Sequence, residues 1–148
     1  MLEILKTAGS ALTAQRLRMD VISSNLANSE STSTPEGGPY KRERVVFAPI
    51  MRDTMSKLSE GSGPIARGAT AGGVEVRKIV QDDDENALRM VYDPTHPDAN
   101  ADGFVAYPNI DMVTEMTDML SATRSYEANI TIVNVAKSMA QRALEIGR

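Results

Sequence analysis

Three stretches of this 148-residue chain hold side chains of the types that do chemistry. Asp98 to Gly103 reads DANADG, with oxygen-bearing side chains at alternate positions and then a glycine, which is how a calcium-binding helix-loop-helix opens. The twelfth loop position, where a bidentate Glu belongs, is Asn109, and the preceding DPTHPD is too rich in proline to form the entering helix. A Gly-terminated turn leading into Phe104 is the better reading. Asp82, Asp83, Asp84 and Glu85 set four carboxylates in a row. A general acid and base must converge across a cleft, whereas adjacent charges after a strand make a solvated edge that discourages unwanted pairing. His96, the only histidine, lies between Pro94 and Pro97 with no nucleophile placed beside it, and reads as a surface turn residue. The absence of cysteine removes disulfides, thiolate metal sites and a thiol nucleophile. No catalytic residue, cofactor or metal site is expected.

Asn25 and Asn28, in SSNLAN, carry amides that suit either a helix C-terminus or a hydrogen-bonded clip between helices. Both readings depend on the elements around them. At alternating steps of four and three, Met112, Met116, Met119, Thr123, Tyr126, Ile130, Val133, Lys137, Ala140 and Leu144 form one line down a helix, broken only by Lys137. A second line, through Ala128, Ile132, Val135, Met139, Arg142 and Ile146, appears in the distal half, which therefore expects more than one neighbour. The first line is expected to face the chain's own N-terminal helix and the second to face other subunits. Asn109 is the expected N-cap, with Asp111 in the first turn where the helix dipole favours a carboxylate and Gly147 closing the far end. No Gly or Pro interrupts residues 110–146, a span of about 55 Å as a helix, whereas a compact domain of this length is only about 30 Å across.

The partner surface lies at the other end of the chain. Met1, Leu5, Ala8, Leu12, Gln15, Met19, Ile22 and Leu26 repeat the same spacing, with small residues around Gly9 that permit close approach. That helix should end near Asn28, because Ser29 to Pro39 is a breaker cluster and reads as an exposed loop. Between the helices, YKRERVVF from Tyr40, Val74 to Val80, Leu88 to Tyr92 and Phe104 to Tyr107 have strand character, enough for a small sheet or a pair of hairpins. MRDTMSKL from Met51 is helix-capable, and Glu60 to Gly73, with five of the ten glycines, reads as a linker. The expected fold is mainly α: two long terminal helices, 1–28 and 109–148, forming a coiled coil around a small β-rich insert, 29–108. Residues proposed for the seam or for assembly are Leu5, Leu12, Met19, Ile22, Asn25, Leu26, Asn28, Met112, Met116, Met119, Tyr126, Asn129, Ile130, Ile132, Val133, Val135, Met139 and Leu144.

A net charge of −4 with no strongly basic segment argues against nucleic acid. No apolar run reaches the roughly 18 residues of a membrane span, and no cleavable signal peptide is seen. By these signals alone the chain reads as soluble and cytoplasmic, and two matched seams alone would also suit a coiled-coil adaptor or scaffold.

Four stretches then carry a resemblance: SALTAQRLRMDVISSNLAN from Ser10, PYKRERVVF from Pro39, YDPTHPDANADGFVAYPNID from Tyr92 and MLSATRSYEANITIVNVAKSM from Met119. The pairing of NLAN near the start with RSYEAN near the end resembles the flagellar basal-body rod proteins, and the DPTHPDANADGFVAYPN turn narrows the likeness to the proximal rod. The PEGGP loop lacks the TxGY or TxGF wording of other rod and hook proteins, as does the proximal type. The resemblance implies a non-enzymatic structural subunit whose terminal helices coil together and stack into a helical tube, with the middle segment outside. It also implies export by the flagellar type III apparatus without a cleaved signal peptide. Its place would then be the basal body, with copies of itself and other rod proteins as partners, which replaces the cytoplasmic expectation.

Overall fold

The computed structural model describes residues 2–35, 37–51, 71–83 and 86–146. In chain order these form α1 (Leu2–Ala27), β1 (Glu43–Met51), β2 (Ala71–Gln81), β3 (Leu88–Tyr92), β4 (Phe104–Pro108) and α2 (Met112–Ile146). The readings of a helix after Met51, of a linker before Ala71 and of Gly147 as a helix stop lie outside the described residues.

Helix α1 is 26 residues long and ends where side chains take over its last carbonyls. Asn28 Nδ2 donates to Ser24 O at 2.9 Å, and Ser29 Oγ donates to Leu26 O at 2.9 Å. The loop that follows is folded rather than simply exposed: Gly37 and Gly38 take φ of 93° and 82°, and Tyr40 N donates to Ser31 O. Helix α2 begins three residues after the strand that precedes it, and its N-cap is Asp111, not Asn109. Asp111 Oδ1 accepts from Val113 N at 3.0 Å and Oδ2 accepts from Thr114 Oγ1 at 2.6 Å. Asn109 faces the other way, with its amide N and Nδ2 donating to Ala87 O and Asn86 O, which ties β4 back to the start of β3. The Thr114 hydroxyl, then the Val113 amide, hold the Asp111 carboxyl below its ordinary range. A depressed native pKa stabilises above the ordinary carboxylate range and is lost as pH falls through the native value, so this cap weakens only in acid.

The two helices pack side by side and antiparallel: Asn25 meets Glu115, while Met19, nearer the start of α1, meets Thr123, further along α2. On its other side α1 carries the ribbon of β1 and β2, paired antiparallel from Glu43↔Gln81 to Met51↔Ala71, with irregularities at Val46/Phe47 and Pro49/Met51. Pro49 is tolerated because a two-stranded ribbon has only edges. Ala14 and Leu17 line a groove with Val74 and Val76 of β2. Gly73, with φ of 146°, marks the closest approach, since a Cβ there would lie 2.5 Å from Ser10 Oγ. β3 and β4 form a separate hairpin, Leu88↔Pro108 to Tyr92↔Phe104.

The result is a mixed α/β chain: terminal helices with two antiparallel hairpins between them. It is less predominantly helical than expected, because β2 runs 11 residues and starts inside the glycine-rich stretch read as linker. Among the described residues the buried apolar core is thin, consisting of Ala8, Ala14, Val21, Ile22, Val105, Ala122 and Ala136. Alanines at four of these positions let backbones approach closely but contribute little apolar area each.

Candidate functional site

The inner face of α2 is rotated from the line drawn through its large apolar residues. Glu115, Ala122 and Ala136 are buried and Asn129 is half-buried, each seven residues after the last; Met119, Tyr126, Val133 and Ala140 are half-buried at the intervening positions. The expected line shares that second set and misplaces the first by one residue. Met116 (52% exposed), Ile130 (38%) and Leu144 (76%) lie outside the seam, as do Met112 and Lys137. Bulk misled the reading: the helices approach closely enough that alanine, not isoleucine, fits between them. Along the α1 line, Ala8 and Ile22 are buried and Leu5, Leu12, Gln15, Met19 and Leu26 are half-buried. Gln15 Oε1 is buried there with no hydrogen-bond partner.

At one end of this seam lies a buried polar cluster. Asn25, 1% exposed, uses its full hydrogen-bonding capacity. Its Nδ2 donates to Glu43 O at 2.9 Å and to Glu115 Oε2 at 3.2 Å; its Oδ1 accepts from Glu43 N at 2.9 Å and from Tyr40 OH at 3.1 Å. Glu115, also 1% exposed, places its other oxygen against Arg42, whose Nε donates to Oε1 at 2.7 Å. Ser24 lies 3.3 Å from the Tyr40 hydroxyl. Burial raises the Tyr40 pKa, with the Ser24 hydrogen bond opposing and the Glu43 and Glu115 charges adding to the rise, so the phenol stays a donor. Of the two asparagines, Asn25 thus joins α1 to both α2 and β1, while Asn28 caps the end of its own helix and accepts from Ser31 of the loop that follows. Glu115, Arg42 and Tyr40 were not singled out from sequence. The one available signal was that Glu115 stands four residues before Met119 of the expected line.

The residues first considered for chemistry are occupied with local structure. Asn100 Oδ1 accepts from Asp102 N at 3.0 Å and Phe104 N at 2.8 Å, and Gly103 turns at φ 80°, so DANADG is a tight turn into β4. Asp98 Oδ2 accepts from Thr32 Oγ1 at 2.7 Å and anchors the loop after α1. His96 Nδ1 accepts from Asp98 N at 3.1 Å, its ring edge-on to Tyr107. Asp82 and Asp83 face Arg44 and Lys41 across the base of the ribbon. Glu85 and Asp84 lie outside the described residues.

A flank of α2 beside the seam is apolar and open. Ile132 (45% exposed), Val135 (53%) and Met139 (59%) follow one another along it, with Ala128 and Arg142 exposed in the same line. Val113, Met116 and Leu120 form a similar exposed run near its start.

Comparison with known proteins finds related families at both ends of the chain. The family described as "Flagella basal body rod protein" matches residues 5–33, which hold most of α1, and "Flagellar basal body rod FlgEFG protein C-terminal" matches residues 101–146, which hold β4 and α2. The flagellar basal-body rod protein FlgC of Bacillus subtilis is 47% identical, over 97% of this chain and 96% of that protein. The chain belongs to the FlgC family of flagellar basal-body rod proteins. The FlgC of Borreliella burgdorferi is 43% identical over 96% of this chain and 94% of its own length, and that of Escherichia coli O6:H1 is 40% identical over 100% and 98%. A FlgC-family chain is a structural subunit of the flagellar basal body and not an enzyme.

Proposed function

We propose that this chain enters the proximal rod through its terminal helices. α1 and α2, within residues 1–28 and 109–148, act as a coiled-coil unit that stacks into a helical tube with copies of itself and other rod proteins. The central segment, 29–108, faces outward. The flagellar type III apparatus delivers the chain beyond the inner membrane without a cleaved signal peptide, and the finished rod carries torque through the cell wall. The observation that carries the reading is the exposed apolar line Ile132, Val135 and Met139, on a flank of α2 outside its seam with α1. Apolar residues lined up in this way mark interaction surfaces, and a head-to-tail interface that does not close produces a filament.

The test uses Ile132→Asp and Met139→Asp. Both change exposed positions, so the purified chain should melt within about 0.5 kcal/mol of the parent. Each should abolish swimming in a strain carrying it, because truncating an interface centre costs about 2 kcal/mol or more and the contact recurs at every subunit. Normal swimming by both variants would remove α2's outer face from rod assembly.

A further inference from the structure

The ribbon of β1 and β2 is fastened to α1 at two places. At one, Ser10 Oγ accepts from Val74 N at 3.1 Å while donating to Thr7 O at 2.8 Å, with Gly73 closed against the serine. At the other, Asn25 takes both the N–H and the C=O of Glu43, the first residue of β1. The two anchor points lie fifteen residues apart on α1, about 22 Å along a helix. On the ribbon they are separated by the run of β2 from Val74 to Gln81, the partner of Glu43, which is about 23 Å at strand spacing. The equal spans let helix and ribbon lie alongside one another with both fasteners engaged.

The fasteners differ in what completes them. The Ser10 anchor involves α1 and β2 alone. The Asn25 anchor is completed by α2, because Glu115 accepts from Asn25 Nδ2 and binds Arg42, the residue immediately before β1. Without Glu115, Asn25 loses one of its two acceptors and the Arg42 guanidinium loses its buried counter-charge. We propose that the Asn25–Glu115–Arg42 cluster is a latch through which pairing of α2 with α1 sets the orientation of the β1–β2 ribbon: with α2 away the Asn25 anchor keeps only its bonds to Glu43 and Tyr40 and that end of the ribbon loosens, and with α2 docked both ends are held firmly. The latch lies within one chain and needs no neighbouring subunit.

Residue-resolved amide exchange of the full chain tests it. In Glu115→Ala the Glu43 amide should exchange about tenfold faster or more, as expected for loss of a hydrogen bond to a charged group, while the Val74 amide keeps its parent rate. Ser10→Ala should do the reverse. In the unmodified chain the Glu43 amide should open with the same denaturant dependence as amides of α2 around Ala122, and this arm serves if Glu115→Ala does not fold. The absence of cysteine allows a second readout, spin labels at Arg16→Cys and Lys78→Cys, both exposed positions, whose distance distribution should broaden in Glu115→Ala. The latch is overturned if Glu43 and Val74 speed up equally, if Glu43 is unaffected, or if Glu43 outlasts α2 in the unmodified chain.

Discussion

Replacing Asn25 with alanine removes four hydrogen bonds at once and strands groups that water does not reach. Each buried group left without a partner costs about 1–3 kcal/mol, so Asn25→Ala should be among the most destabilising single changes in the chain by urea titration. Asn25→Asp should be worse than Asn25→Ala at neutral pH. It keeps the shape but sets a second carboxylate at the Glu115 oxygen now 3.2 Å from Asn25 Nδ2, and two carboxylates sharing a buried site cannot both ionise. The excess should shrink as pH falls toward about 4, because the crowded pair takes up its shared proton at a higher pH than the same carboxylates do in the unfolded chain. Equal melting of the two variants at pH 7 would mean that Glu115 does not face residue 25. At this scale the sequence was half legible. An asparagine near a helix end suits a cap or a clip on composition alone, and Asn25 and Asn28 divided those roles. Glu115 was not legible, because a glutamate in the first turn of a helix is ordinarily explained by the dipole and solvent, and only the tertiary arrival of Arg42 makes burial tolerable.

Both helices and all four strands could be read from hydrophobic period and breaker residues; the rotation of α2 could not. A four-three line drawn through the bulkiest residues chose Met116, Ile130 and Leu144, whereas close packing chose Ala122 and Ala136. The observation that Lys137 broke the line was the clue, since a true seam does not need to be excused. Two substitutions separate the alternatives. Ala122→Leu forces a larger side chain into a position that is 0% exposed and should cost about 1–3 kcal/mol in the isolated chain. Ile130→Asp, at a position outside the seam, should leave chemical denaturation of that chain nearly unchanged, contrary to what the line through bulky residues predicts. If Ile130→Asp unfolds the monomer and Ala122→Leu does not, the seam runs where the bulky residues lie. The start of α2 was misread by two residues for a related reason: Asn109 is as good a cap as Asp111 by type, and the choice was made by β4, whose pairing with β3 requires Asn109 for Ala87 and Asn86.

For the molecule as a whole, the distribution of fastenings along the helix pair determines where it opens. The satisfied polar cluster, the Arg18–Asp118 ion pair and the buried Val21 and Ile22 all sit toward the end of α1 and the start of α2. At the opposite end, among the described residues, Ala8 and Ala136 are the buried apolar side chains, both small, while Ile4, Met139 and Leu144 face water there. A helix gains most of its stability from tertiary packing, so the unfastened end should fray while the fastened end holds. In a dilute purified chain, trypsin acting on the described residues should therefore cut first at Lys6, Lys137 and Arg142, and only later at Arg16, Arg18 and Arg124. Far-UV circular dichroism should accordingly report less helix than the 26 and 35 residues of α1 and α2. Early cutting at Arg18 or Arg124 would show that the polar cluster does not hold the pair together. If neighbours cover the outer line of α2, the same distal bonds should become resistant in assembled rods, because the residues that leave the free end weakly held, Ile132, Val135 and Met139, are the ones a neighbouring subunit would bury.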